Sequence, residues 1–299
     1  MDQLHLMTVF VTVAEEQGFS AASRKLNLSP PAVTRAIATL EDNLGVKLLQ
    51  RTTRYVRTTE AGQRYLDDAR RILQDVELAN EAVIGINAEP KGLLSVTAPV
   101  LFGQSYVMPG IVEYLDRHPE TRVNAVFLDR VVSLLEEGFD VGIRIGHLPD
   151  SSMRAKKVGE VSLNWVASPD YLKRAGVPHT PEDLTNHTLI ASSAGSLAHD
   201  WNFFIRERKH SLRINPRLTV TTNQAAIEAS ISGLGITRII SYQVASALAN
   251  GSLEKVLTTY EPPPMPIHII HREGRLSSAK VRAFIDLMAK RLLRDKTLN

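Results

Sequence analysis

The sequence contains no cysteine. That excludes disulfides, cysteine metal sites, thiol nucleophiles and thiol redox sensing, and it fits a cytoplasmic protein. It also lacks any run of about 18 apolar residues, the length a helix needs to cross a bilayer, so no membrane partner is expected. Residues 1–13 do not read as a signal peptide: there is no basic start, and Asp2, His5 and Thr8 interrupt the apolar residues. The histidines show no HxxxH or HExxH spacing, so no metal is expected, and His199 and His210 read as surface residues. Gly233-Leu234-Gly235 has neither the Walker lysine nor the third glycine of a dinucleotide fingerprint, and Ser192-Ser193-Ala194-Gly195 is not a nucleophile elbow. No cofactor and no enzymatic activity are therefore expected. Trp165 and Trp201 read as core or packing residues.

What is present is an ordinary globular composition. The 299 residues are 43% hydrophobic and 22% charged, which suits two or three packed units. The net charge of +3 says little about partners, but its distribution says more. Between Ser20 and Thr59 stand Arg24, Lys25, Arg35, Lys47, Arg51, Arg54 and Arg57 against only Glu41 and Asp42. Such a local excess can neutralise phosphates, although a solvated basic face has the same pattern.

Leu6, Phe10, Val13 and Ala14 recur at helical spacing and predict a helix over 3–16, stopped by Gly18. Ser20 is placed to cap a second helix over 21–27. Ser29-Pro30-Pro31 is a strong start for a third, since serine can accept from exposed amides and proline loses no bond at the first position. Two short helices about a tight turn make a helix-turn-helix. In the third helix Val33, Ile37, Leu40 and Leu44 form one buried stripe, and Arg35 falls nearly opposite Val33 with Pro31, Thr34 and Ala38 beside it. A small polar face with one arginine suits a major groove, where arginine can pair bidentately with guanine; alone, it also describes an ordinary surface helix. Residues 46–58 alternate loosely and read as a hairpin with Arg51 and Arg54 at its tip, a wing for phosphates or a minor groove.

The stretch FVTVAEEQGFSAASRKLNLSPPAVTRAIATLEDNLGVKLLQRTTRYVRTTEAG resembles the N-terminal domain of LysR-type transcriptional regulators. It carries, in order, the family's phenylalanine-serine-alanine-alanine, leucine-glutamate, leucine-glycine, arginine-threonine-threonine-arginine and threonine-glutamate-alanine-glycine elements. The Pro30-Pro31 pair is a departure, since the family often has small or polar residues there. With the resemblance, Ser20, Ser29, Pro30, Pro31, Thr34, Arg35, Arg51 and Arg54 become the candidate contacts to a double-stranded operator.

A long helix follows to about Ile86. Tyr65, Ala69, Ile72, Val76, Ala79, Val83 and Ile86 alternate in steps of four and three, a heptad seam that seeks a partner helix or the chain's own domain. In the LysR family the equivalent helix pairs antiparallel with its mate, so the seam residues Tyr65 to Val83 are expected to dimerise the protein. Residues 87–92 then break the helix. From Leu93 short strands alternate with helices, including strands at 93–98, 121–128 and 139–144 and a helix at 131–137, which argues an α/β domain with largely parallel sheets. The elements GFDVGIRIG, WVASPDYL and ISGLGIT are similar to the family's effector domain, and DSSMRAKKVG is most similar to its CrgA-like branch. The resemblance implies an N-terminal all-α winged helix-turn-helix (1–58) and a linker helix (59–87). It also implies a two-lobed periplasmic-binding-protein-like effector domain (88–299), with lobe one at about 92–163 and 267–299 and lobe two at about 164–266. It further implies a homodimer that associates into a homotetramer, a small-molecule effector and RNA polymerase as a further candidate partner.

In open α/β sheets ligands bind outside the carboxyl ends of strands. That rule selects Thr97, Pro99, Val100, Asp129, Arg144, Ser168, Thr222 and Asn223, with Phe102 as an aromatic cover. Arg144 can meet a carboxylate, or be held by Asp129 or Asp140; the helix after Thr222 offers amides to an anion, so an organic acid is the expected effector. A solute-binding protein would leave the first sixty residues unexplained, and an enzyme would need a nucleophile, base or cofactor motif that is not visible.

Overall fold

The computed structural model describes residues 2–51, 56–84, 89–148, 153–194, 200–206, 208–272 and 278–298. The chain forms two compact units, essentially Met1–Glu89 and Pro90 onward.

The N-terminal unit runs α1 (Gln3–Glu15), α2 (Phe19–Leu26), α3 (Pro30–Leu44), β1 (Leu49–Arg51), β2 (Val56–Thr58) and α4 (Glu60–Ile84). Leu6, Phe10 and Val13 of α1, Ala22 of α2 and Val33, Ile37 and Leu40 of α3 close one core with Leu48, Leu49 and Leu66. The expected stripe of α3 ends one turn early, because Leu44 is 41% exposed beside the left-handed Gly45 that terminates the helix. Helix α2 starts earlier than the sequence suggests. Gly18 is its N-cap, so Ser20 lies inside the helix and caps nothing. Ser29 has the extended backbone of an N-cap, yet its hydroxyl accepts no bond: Pro31 has no N–H to give, and the amides of Ala32 and Val33 go to the Ser29 carbonyl.

The C-terminal unit holds two five-stranded sheets. We number its elements β3 (Gly92–Ala98), α5 (Val100–Phe102), α6 (Met108–Arg117), β4 (Thr121–Phe127), β5 (Val141–Ile145), β6 (Met153–Val161), β7 (Leu163–Ala167), α7 (Pro169–Ala175), β8 (Leu189–Ser192), β9 (Asp200–Ile205), β10 (Arg208–Arg213), β11 (Leu218–Val220), α8 (Asn223–Ile231), β12 (Ile236–Ile240), α9 (Ala245–Ala249), β13 (Glu254–Val256), β14 (Met265–Arg272) and α10 (Ala279–Leu292). The first sheet has order β4-β3-β5-β14-β6 and the second β11-β8-β12-β7-β13. The sheets are mixed rather than largely parallel. β3, β4 and β5 run together, as do β8, β11 and β12, but β14 opposes β5 and β6, and β7 opposes β12 and β13. The cause is the chain path: β7 enters the second sheet directly from β6, and β14 returns to the first after that sheet is complete. The expected helix at 131–137 is only turns. Its bonds are those of one turn, Glu137 N–H to the Ser133 carbonyl and Glu136 N–H to the Ser133 hydroxyl, and Gly138 at φ +72° ends it before a helix can propagate.

Candidate functional site

The outer face of α3 is built as its sequence requires. With Val33, Ala36, Ile37 and Leu40 buried, Pro30, Pro31, Arg35 and Ala38 are exposed. Thr34 is half-buried and donates its hydroxyl to the Pro30 carbonyl at 3.0 Å, so its free capacity is that of an acceptor. Ser20 is exposed on α2. Arg54 lies outside the described residues, and of Arg51 only the backbone, in β1 opposite Val56, is described.

The basic cluster is smaller than its count. Lys25 is paired with Glu16 at 2.7 Å and Lys47 with Glu41 at 2.7 Å. Arg24, Arg35 and Arg57 are exposed and make no ion pair among the described residues. Glu41 is a positioning residue that sequence reasoning passed over. Its buried carboxylate accepts from the amides of Leu48 (2.9 Å) and Leu49 (3.1 Å) as well as from Lys47, tying the end of α3 to the first wing strand. Burial alone would raise its pKa. The hydrogen bonds from Lys47, Leu49 and Leu48 and the Lys47 charge outweigh that and hold it below the ordinary glutamate value.

The heptad seam of α4 divides. Tyr65 meets Phe10 at 5.5 Å between ring centroids and accepts from Gln3 Nε2, and Ala69 is fully buried. These two pack on the N-terminal unit's own core, contrary to the expectation that they face a mate. Ile72 is 37% exposed, Val76 half-buried and Ala79 exposed, while the side chain of Val83 lies outside the described residues.

The candidate effector residues fall into three groups. Several already serve the chain. The Asp129 carboxylate accepts from the Val100 amide at 3.0 Å; Ser168 caps α7 through the Tyr171 amide at 3.4 Å; Thr222 caps α8 through the Ala225 amide at 3.3 Å. Pro99 is the entry to α5. Phe102 offers no free face: it is fully buried, stacked on Tyr106 at 4.8 Å and edge-on to Tyr242 at 5.3 Å. That correction follows from the aromatic set, since Tyr242, which follows β12 of the second sheet, joins the core of the first. Burial pushes the Tyr242 hydroxyl up, with Asp129 and Tyr106 adding to the shift. Thr97, Arg144 and Asn223 remain. Thr97 is fully buried with no partner for its hydroxyl among the described residues, and Arg144 is half-buried with Nη1 donating to the Ile143 carbonyl at 2.9 Å. Asn223 is half-buried at the first position of α8. Thr97 and Arg144 lie on strands of the first sheet, whereas Ser168 follows β7 and Thr222 and Asn223 follow β11 of the second.

The second sheet hides a further arginine. Arg238 lies 5.7 Å over the Trp201 ring and donates to the Asp200 carbonyl at 3.0 Å. Burial lowers its pKa to about 10 against the opposing pull of Asp200. Among the described residues, no group of three or more acids or histidines is placed to hold a metal, and no helix is long and apolar enough to cross a membrane.

Residues 4–63 match the model of bacterial regulatory helix-turn-helix proteins of the lysR family, and residues 87–293 match the LysR substrate binding domain. The HTH-type transcriptional regulator YhjC of Escherichia coli K12 is 32% identical over 291 residues, covering 97% of each chain. The HTH-type transcriptional regulator CrgA of Neisseria meningitidis serogroup B is 29% identical, covering 96% of each chain. Among solved structures, the full-length virulence activator AphB of Vibrio cholerae superposes with a TM-score of 0.64 at 27% identity, covering 97% of this chain and 99% of that one.

Proposed function

This chain belongs to the LysR family of bacterial transcription regulators, and from that membership we propose the residues and the assembly through which it acts. It is a DNA-binding regulator of transcription with an effector-binding C-terminal domain. In our reading residues 1–58 bind the operator, 59–87 dimerise the chain and 88–299 take the effector. The protein works in the cytoplasm as a homodimer that pairs into a homotetramer, acts with RNA polymerase and performs no catalysis itself.

The DNA reading is carried by one observation: Arg35 is exposed, and without an ion pair among the described residues, on the face of α3 opposite the buried Val33 and Leu40. In this reading α3 lies in the major groove with Pro30, Pro31 and Thr34 against the duplex, and Arg51 and Arg54 reach phosphates. Arg35→Ala is expected to weaken binding to the specific site by about 1–3 kcal/mol and to relax base preference there. Gel shifts on the chain's own upstream region and on random DNA check this. Equal losses on both would reassign Arg35 to a phosphate.

The effector in our reading is a small organic acid held between the two sheets, with Thr97 and Arg144 on one side and Asn223 with the amides that open α8 on the other. Arg144→Ala should abolish the change in DNase footprint that the effector causes while leaving the effector-free footprint intact. A variant that still responds as wild type removes Arg144 from the site. Loss of the effector-free footprint together with the circular dichroism signal makes it a structural residue.

A further inference from the structure

Helices α6 and α10 pack on the core of the first sheet, α6 through Ile111 and Tyr114 and α10 through Phe284, Met288 and Leu292. The two helices come closest at Gly110. A β-carbon there would stand 2.2 Å from Sδ of Met288 and 3.5 Å from Cδ of Arg291, so glycine is what lets them approach. Arg291 also lines a groove of about 310 Å³ between them. Its other walls are Glu113 and Arg117 of α6, Leu287 and Lys290 of α10, and Arg294 in the turn after α10. Four cations and one acid leave this groove with three net positive charges, which equals the formal excess of +3 on the whole chain. The acid is already engaged. Arg117 pairs with Oε1 of Glu113 and Arg291 with Oε2, so Glu113 positions one guanidinium from each helix. Lys290 and Arg294 have no ion pair among the described residues, and they stand about one helical turn apart, where like charges repel.

Helix dipoles favour cations in a last turn, which accounts singly for Arg117 on α6 and for Lys290 and Arg291 on α10. It does not account for their meeting in one concavity, with Arg294 as a fourth from beyond the helix. Converging cations without a counter-charge call for an anion. Guanidinium forks and an ammonium together suit the oxygens of a phosphate group, the forks by paired hydrogen bonds and the ammonium as a point charge. Three positive charges match the charge of a phosphate or pyrophosphate more nearly than that of a single carboxylate. The groove is at the lower end of the size of small-ligand sites, so it has room for such a group and not for a folded partner.

We propose that the groove between α6 and α10 binds a phosphate-bearing anion through Arg117, Lys290, Arg291 and Arg294, at a site separate from the effector cleft. The phosphate belongs either to a small phosphorylated molecule or to the backbone of bound DNA. The test is lysine acetylation of the full-length protein read by mass spectrometry, in sodium chloride, in sodium pyrophosphate at matched ionic strength, and with a duplex of the chain's own upstream region. Pyrophosphate or the duplex should slow acetylation of Lys290 by about tenfold, the worth of one charge-assisted hydrogen bond. The exposed Lys173 and Lys209 should react in pyrophosphate as they do in chloride. Protection by pyrophosphate assigns the groove to a small molecule, and protection by the duplex alone assigns it to DNA. Arg294→Gln, a change at an exposed position, should keep the circular dichroism of the wild type and lose most of the protection. Arg144→Ala should keep all of it, because Arg144 lies outside the groove. A Lys290 that reacts equally under all three conditions overturns the proposal. So does a protection that is uniform over the exposed lysines, or one that survives in Arg294→Gln.

Discussion

Gly62→Ala should unfold the N-terminal unit and abolish DNA binding while the C-terminal unit stays folded. A β-carbon at Gly62 would stand 1.9 Å from the carbonyl oxygen and 2.8 Å from the carbonyl carbon of Leu48. Both are backbone atoms, so no rotamer change relieves the clash. The neighbourhood cannot slide either. The Leu48 carbonyl accepts from the Thr59 amide at 2.9 Å, the Thr59 hydroxyl donates to the Lys47 carbonyl at 2.8 Å, and the same hydroxyl accepts from the Gly62 amide at 2.9 Å. Leu48 itself is buried in the core between α1 and α3. Overpacking usually costs about 1–3 kcal/mol, and a backbone contact inside a closed hydrogen-bonded corner belongs at or above the top of that range. Calorimetry of the full chain should show the N-terminal transition lowered or lost and the C-terminal one unmoved. An unchanged N-terminal transition would mean that α4 can shift away from the wing without penalty.

The same corner shows how far the residues alone carried the reading. The threonine-glutamate-alanine-glycine run was recognisable as a pattern, but its reason is tertiary: Thr59 and Gly62 exist for the approach of α4 to Leu48. Glu41 was legible only as one acid among many basic residues, because its role depends on amides seven and eight positions away. The three N-terminal helices were readable from apolar spacing and from their stops, but the expected caps failed, Ser29 because Pro31 changes the donor supply and Ser20 because α2 starts ahead of it at Phe19. In the C-terminal unit β3, β4, β5, β7, β11, β12 and β14 announced themselves, while β6, β8, β9, β10 and β13 did not, and β6 shows why. Residues 153–157 of it are largely exposed and charged, so the apolar alternation that marks a strand is missing, and its pairing with β14 defines it instead. The site was legible as a set of strand ends and not as side-chain roles. Asp129, Ser168 and Thr222 stand at the right ends, but each already satisfies a backbone amide: Ser168 and Thr222 one of their own helix start, and Asp129 that of Val100, 29 positions away.

Ile72→Glu and Val76→Glu should each separate the chains that α4 is proposed to pair and leave an assembly of at most half the wild-type mass. The packing of α4 restricts the seam to its later half. Tyr65, Leu66 and Ala69 are covered by α1 and its neighbours, and Arg70 reaches Glu15 at 3.2 Å, so the first three turns have their partner within the chain. From Ile72 onward that cover stops, and Ile72, Val76 and Ala79 continue the four-three alternation into solvent. A narrow apolar stripe on a long helix is stable in water when a second helix covers it. In a mated seam a new carboxylate at 72 or 76 must either lose its water or keep the helices apart, and burying an unpaired charge costs several kcal/mol. In the isolated chain the same carboxylate costs little, since Ile72 is already partly in water. The penalty therefore falls on association and spares folding. Light scattering after size exclusion should give at most half the wild-type mass, with thermal transitions of both units close to wild type. Tyr65→Glu, by contrast, should destabilise the N-terminal unit itself, because its ring is part of that unit's core. An unchanged wild-type mass for both Ile72→Glu and Val76→Glu would place the main association surface outside α4.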